Sequence, residues 1–238
     1  MDLQLKGARA VVTGGSRGLG LAIARGLLAE GARVALVARD ARRLGAAADG
    51  LRSGATAAEV LAVPADTTDD SSVRAMAEQV VTAWGGVDVL VNAAAQPSFA
   101  SAPPPLADLT DGEVLADFDT KVLGYLRCAR ALAPHMIRQG QGRIVNISGL
   151  NARRTGSVSG TIRNVAVAAL TANLADELGP HGVGVTVVHP GLVETERTPR
   201  LVADRAAAGG LTEEQVRAQL NPRSGHVPPV ARFLLELG

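Results

Sequence analysis

Two features of this chain have residue types and spacing suited to chemistry. The first is Thr13-Gly14-Gly15-Ser16-Arg17-Gly18-Leu19-Gly20, a glycine cluster between an apolar run and a segment of helical period. Glycines permit a tight turn and close backbone approach, so loop amides and a positive helix end can hold a pyrophosphate. A ligand-free turn is the plainer reading, but the placement inside a βαβ pattern favours a nucleotide. The second feature is scarcity. There is one tyrosine, Tyr125, and the 24 basic residues include two lysines, Lys6 and Lys121. If Lys121 is buried beside another cation, desolvation and like charge disfavour its ammonium and suit it to proton transfer. The alternative is a side chain that reaches solvent or pairs with Asp117 or Asp119. Lys121 and Tyr125 stand four apart on one helix, which allows a Tyr/Lys pair; Tyr125 packed in a helix or subunit interface is the other reading. His189, just before Pro190, is an acid–base candidate or a structural histidine.

The elements that must position these residues alternate. Apolar runs at Ala10-Val11-Val12, Val34 to Val37, Val60 to Val63, Val87 to Val91, Arg143 to Ile147 and Val185 to Val188 are separated by segments of helical period. This is the pattern of an α/β protein with a parallel sheet covered by helices on both faces. Leu19, Ile23 and Leu27, and later Ala166, Leu170, Leu174 and Leu178, repeat every four residues and read as core-facing stripes. No linker or repeat precedes residue 195, so residues 1–238 read as a single domain. The stretch from Glu194 to Pro229 is rich in Arg, Ala and Pro and reads as a substrate lid or cap, with a helix start at Leu211-Thr212-Glu213-Glu214.

Composition excludes other classes. With 24 basic and 23 acidic side chains and no basic tract, neither nucleic acid nor a membrane surface is an expected partner. No apolar run approaches the roughly 20 residues that span a bilayer, and the start carries no cationic and apolar leader. One cysteine, Cys128, allows no internal disulfide, and four scattered histidines leave little for a metal, so no metal site is expected and the expected location is cytoplasmic.

Thr13, Gly14, Gly18 and Gly20 match Thr-Gly-x-x-x-Gly-x-Gly, the glycine motif of the short-chain dehydrogenase/reductase family, which the chain resembles from about Leu5 to Leu192. Asp66 falls where that family contacts adenine, Asn92-Ala93-Ala94-Ala95 resembles its Asn-Asn-Ala-Gly, and Pro190-Gly191 followed by Thr195 matches its nicotinamide-end segment. The resemblance implies a doubly wound Rossmann fold, a small-molecule substrate and a homodimer or homotetramer. It assigns cofactor contacts to Gly14, Ser16, Arg17, Gly18, Leu19, Arg39, Asp66, Asn92, Ala94, Pro190, Gly191 and Thr195. At the end of the second strand stand Ala38 and Arg39 rather than an acid, and Arg17 lies in the glycine loop, so two guanidinium groups favour the 2′-phosphate of NADP(H) over NAD(H). Solvated arginines, with Asp40 competing for Arg39, are the alternative.

The reacting end departs from the family. Its Tyr-x-x-x-Lys is absent: alignment on Ala168-Ala169-Leu170 puts Arg163 at the tyrosine and Val167 at the lysine, and residues 150–180 contain neither Tyr nor Lys. The family serine matches Gly149, with Ser148 one place earlier and facing the other side if the strand continues, and the family asparagine matches Lys121. Arg163, always charged, is suited to stabilising an enolate, alkoxide or carboxylate. Arg163, Lys121 and Ser148 are therefore the catalytic candidates. Arg153, Arg154, Gln96 and Ser98 are candidates for the pocket mouth. An atypical NADP(H)-dependent oxidoreductase acting on a small or polyketide-like carbonyl compound is the leading reading. A non-redox cyclase, isomerase or dehydratase, and a catalytically silent partner, are the alternatives. Family members usually continue past the last helix, here Pro228 to Leu235, with another strand; this sequence stops at Gly238.

Overall fold

The computed structural model describes residues 3–53, 59–95, 104–153, 155–191, 193, 195 and 198–220. Six strands, β1 (Arg9–Thr13), β2 (Arg33–Ala38), β3 (Val60–Pro64), β4 (Val89–Asn92), β5 (Gly142–Ile147) and β6 (Val183–Val188), form one parallel sheet ordered β3-β2-β1-β4-β5-β6. The order reverses between β1 and β4, and the crevice beyond the strand ends at such a point is where ligands of doubly wound sheets bind.

Both sheet faces are buried, as the continuous apolar runs require. Along β1, Val11 enters one core with Val73, Met76 and Val80 of α3 (Asp70–Trp84) and Leu132 and Met136 of α5 (Gly124–Gln139). Its neighbours Ala10 and Val12 enter the opposite core with Ile23 of α1 (Gly18–Ala29) and Leu44 and Ala48 of α2 (Ala41–Arg52). This is the two-residue alternation of a strand.

Local capping sets where the helices begin. Asp40 caps α2, Asp69 caps α3, Thr110 makes a capping box with Glu113 at α4 (Asp111–Phe118), and Ser157 caps α6 (Val158–Leu178). Arg17 supplies no side-chain cap to α1. A π turn, Asp119–Leu123, joins α4 to α5 and changes the helix phase where Lys121 sits.

The α6 stripe is the main correction to the periodicity. Ala166, Leu170 and Leu174 are only half-buried, although Leu178 is buried. The fully buried face instead carries Arg163, Asn164, Val167 and Thr171. Within 194–229, the described part holds α7 (Thr198–Gly209) and α8 (Glu213–Leu220), packed together through Val202, Ala206, Leu211 and Val216. The helix start read at Leu211 to Glu214 is real: Thr212 and Gln215 cap each other reciprocally. The segment Pro228 to Leu235, and Gln96, Ser98 and Arg154, lie outside the described residues.

Candidate active site and nucleotide cradle

Pairing register brings the polar strand ends together. Thr13 stands beside Asn92, and Asn92 beside Asn146, in one row across β1, β4 and β5. Thr13 Oγ1 accepts from the amides of Ala93 at 3.0 Å and Ala94 at 3.2 Å, which fixes the chain leaving β4. Asn92 Nδ2 donates to Asn146 Oδ1 at 2.9 Å, Asn146 Nδ2 to Thr171 Oγ1 at 3.0 Å, and Thr171 Oγ1 to Val167 O at 2.7 Å. This buried line ties the sheet centre to α6. Asn92 is thus held within the protein, with Oδ1 buried and unpartnered.

The glycine loop is shaped for close approach. Gly14 has φ +67°, and a Cβ there would lie 2.8 Å from Ala93 O and 2.9 Å from Ala94 N, both backbone atoms. Gly18, also at positive φ, opens α1; Ser16 and Leu19 are half-buried and Arg17 exposed. The absent side-chain cap and the lack of acidic residues in the first turn of α1 suit an anion. Replacing Gly14 by Ala is expected to cost about 2 kcal/mol of stability through the strained conformation alone. It is also expected to abolish nucleotide binding, which thermal melts and nucleotide titration check.

At the second-strand corner, Asp40 is withdrawn from Arg39, because its carboxylate caps α2 through the Arg43 amide at 2.9 Å and lies 3.6 Å from the Arg43 guanidinium. Arg39 is exposed and lies 3.9 Å from Asp66, whose other oxygen accepts from Thr68. The competition for Arg39 therefore comes from Asp66. Pro190 is half-buried, Gly191 exposed and Thr195 half-buried, with the Thr195 amide donating to Thr198 Oγ1 at 2.9 Å. His189 has a buried Nδ1 without a partner. Arg153 ends the short turn after β5.

Lys121 is inside. Its Nζ donates to Ser148 O at 2.8 Å and to Asn164 Oδ1 at 2.9 Å, so it neither reaches solvent nor pairs with Asp117 or Asp119. Those acids are engaged elsewhere: Asp117 by Arg163 at 2.7 Å and Asp119 by Arg127 at 2.8 Å. Burial first, then the Arg163 charge, push the Lys121 ammonium down to about 7, with Asp117 opposing. Arg163 is 4% exposed; its Nη1 holds Asp117, which also accepts from Ser159 Oγ at 2.5 Å, and its Nε is buried without a partner. Ser148 is buried and gives its single hydroxyl proton to Asn164 O at 3.0 Å.

Tyr125 does not form a working pair with Lys121. Its hydroxyl donates to Ile147 O at 3.0 Å, and complete burial raises its pKa. The π turn and α5 send the two side chains to adjacent carbonyls, Ser148 O and Ile147 O. Three participants were missed from sequence: Asn164, which holds Lys121; Asp117, as the partner of Arg163; and Ser159. The repeat 160, 163/164, 167, 171 was present in the sequence, but its polar members hide it from a search for apolar stripes. An open cavity of about 580 Å³ at the start of α6 is lined by Pro104, Thr155, Ser157, Val158, Thr161 and Ile162, among others. No group of His, Cys, Asp and Glu among the described residues is placed to hold a metal ion, and no described helix is long and apolar enough to cross a membrane.

Comparison with known proteins agrees with this frame. The family model "short chain dehydrogenase" matches residues 8–206. Gluconate 5-dehydrogenase of Gluconobacter oxydans is 36% identical over 202 residues, covering 84% of this chain and 77% of that protein. Among solved structures, L-sorbose reductase from Gluconobacter frateurii complexed with NADPH and L-sorbose has a TM-score of 0.89 at 28% identity, covering 100% of this chain and 91% of that one. A variant of actinorhodin polyketide ketoreductase with NADPH gives a TM-score of 0.86 at 28% identity, covering 97% and 90%. With its strand order, its glycine cradle and these matches, the chain belongs to the short-chain dehydrogenase family.

Proposed function

We propose that this chain is an NADP(H)-dependent oxidoreductase acting on the carbonyl group of a small molecule, with Lys121 as the proton-handling group and Arg163 as the positive charge beside the reacting oxygen. The observation that carries the reading is the seating of Lys121 Nζ on Ser148 O and Asn164 Oδ1, with the Arg163 charge acting on it. The cradle fits the nucleotide: Gly14 leaves room that a Cβ would fill, and no acid at the second-strand corner remains aimed at Arg39 except the loosely placed Asp66. Gly14, Ser16, Arg17, Gly18 and Leu19 would hold the diphosphate, Arg39 the 2′-phosphate and Asp66 the adenine side. Ala94, Pro190, Gly191 and Thr195 would border the nicotinamide end, with the fully buried Asn92 fixing the end of β4 behind them.

When bound, NADPH supplies a hydride to the carbonyl carbon. An oxygen that gains the C=O electron pair then needs a proton. A lysine ammonium has three protons; two of those on Lys121 are held by carbonyl oxygens, which leaves one for the substrate oxygen or a relaying water. Arg163 cannot give up its proton and acts by charge, partly balanced by Asp117. Ser148 contributes its carbonyl, since its hydroxyl proton is committed. The likeness to a polyketide ketoreductase solved with NADPH supports a small ketone or polyketide-like substrate.

Exposed Leu115 of α4 and Val158, Ile162 and Val165 of α6 support assembly as a homodimer or homotetramer. The single, buried Cys128, whose thiol burial pushes up to about 12, supports a reducing cytoplasmic setting. A non-redox cyclase, isomerase or dehydratase is the second reading, favoured by two cations and an unpartnered Arg163 Nε gathered where an anion would form.

The test is to titrate NADPH and NADH into the protein and follow nicotinamide absorbance with aliphatic, cyclic and polyhydroxylated ketones. Ketone-dependent NADPH oxidation supports the reductase; tight binding with no oxidation across the panel favours the non-redox reading or a silent partner. Arg39→Glu, which sets an anion against the 2′-phosphate, is expected to weaken NADPH binding at least tenfold while leaving NADH binding within about threefold. Equal loss for both nucleotides would contradict that role for Arg39.

A further inference from the structure

The geometry points to Asn164 as the residue that positions Lys121, with Gly149 as its steric complement. This rests on the reading of Lys121 given above. Asn164 is 5% exposed and is held from three sides: its Oδ1 accepts from Lys121 Nζ at 2.9 Å, its backbone carbonyl accepts from Ser148 Oγ at 3.0 Å, and its Nδ2 faces Gly149. Gly149 has φ 176°, an extended conformation open to any residue, so the backbone does not demand glycine there. The demand is spatial. A Cβ on Gly149 would lie 2.9 Å from Asn164 Nδ2 and 3.4 Å from its Cγ, so any side chain would displace the amide that holds the lysine.

The amide is therefore wedged in one place, and its oxygen is fixed as an acceptor by an ammonium that has no lone pair to offer. The charged groups that act on Lys121 are Arg163 of α6 and Asp117 of α4; they act through space, and neither bonds to Nζ. Among the described residues, Asn164 is the one side chain that grips the nitrogen, since the other acceptor, Ser148 O, is backbone. It acts through Lys121 and is a positioning residue. A neutral amide fixes the amine without cancelling its charge, where a carboxylate would trap the proton on the nitrogen.

The chain's two lysines make the test direct, because lysine labelled with carbon-13 at Cε gives two signals and Lys6→Arg identifies that of Lys121. The signal is titrated in the wild type, in Asn164→Asp and in Asn164→Leu, each checked for folding by circular dichroism. Asn164→Asp keeps the shape and adds a carboxylate, so the Lys121 midpoint is expected to rise by about 1–3 pH units. Asn164→Leu removes an acceptor from the charged form, so the midpoint is expected to fall by about one unit. Asn164→Asp, being isosteric, carries the test if Asn164→Leu does not fold. A wild-type midpoint near neutrality that neither variant moves would overturn the role of Asn164 and leave the reductase reading standing. A wild-type Lys121 that stays cationic beyond pH 9 would overturn both.

Discussion

Replacing Lys121 by Met is expected to lower kcat/KM for ketone-dependent NADPH oxidation by about 10²- to 10⁴-fold, the usual contribution of a positioned acid. Methionine fills much of the lysine stem's volume but presents no N–H, so Ser148 O and Asn164 Oδ1 lose their donor. Orphaning buried acceptors costs about 1–3 kcal/mol each, yet removing an ill-solvated ammonium returns part of that. Stability should then change less than activity does. The sign with pH separates the two effects. Lys121 titrates near 7 when folded and near 10.5 when unfolded, so between these values the unfolded chain binds the extra proton and stability rises with pH. The penalty for the buried charge is complete below about pH 7 and relieved above it. Lys121→Met should lack this alkaline gain, as denaturant melts at pH 6.5 and 9 would show. Nucleotide titrations should show NADPH affinity within a few fold of wild type.

The second large effect is expected at Asp117. Arg163 is almost fully buried, and among the described residues Asp117 is its one anionic partner, at 2.7 Å. Truncation by Asp117→Ala leaves a buried guanidinium without a counter-charge, which costs about 3–5 kcal/mol. The Asp117 side chain is 17% exposed, so water entering the gap places the expected loss near the lower figure. In a chain of this size about 3 kcal/mol corresponds to a melting temperature lower by roughly 6–12 °C. Asp117 also favours the charged form of Lys121. Its removal should shift the Lys121 midpoint, and with it the pH profile of activity, toward acid. Calorimetry and the pH profile check the two halves independently. An unchanged melting temperature would mean that Arg163 finds another partner or leaves the interior.

How much of this was legible in the residues follows from what each part depends on. The strands were readable because both faces of the sheet are buried: Val34 to Val37 and Val60 to Val63 lie within parallel strands paired with each other. The glycine cradle was readable because Gly14 serves a backbone contact that only glycine can make. The scarcity itself was readable, since no tyrosine or lysine exists between residues 150 and 180.

What the chain hid is the internal use of polarity. Arg163, Asn164 and Thr171 face inward on α6, but apolar periodicity selects Ala166, Leu170 and Leu174 instead. The fate of Lys121 depends on a π turn, one extra residue's worth of rotation that leaves no compositional mark, and on Asn164, 43 residues away. The Asp117–Arg163 pair spans 46 residues and forms only when α4 packs on α6. Ser148 looked like a displaced family serine; its hydroxyl is turned to Asn164 O because the chain leaves β5 for a 3-10 turn at Leu150–Ala152.

Lys121 is proposed to deliver the proton in an NADPH-dependent reduction. The measurement that tests it most directly is the pH dependence of kcat/KM for ketone-dependent NADPH oxidation by the wild-type protein. A donor must be protonated, so the rate should be constant below about pH 6 and should fall as pH rises through about 7, approaching tenfold per unit above it. A rate that stays level from pH 6 to 9, or NADPH that binds and is never oxidised, would contradict it.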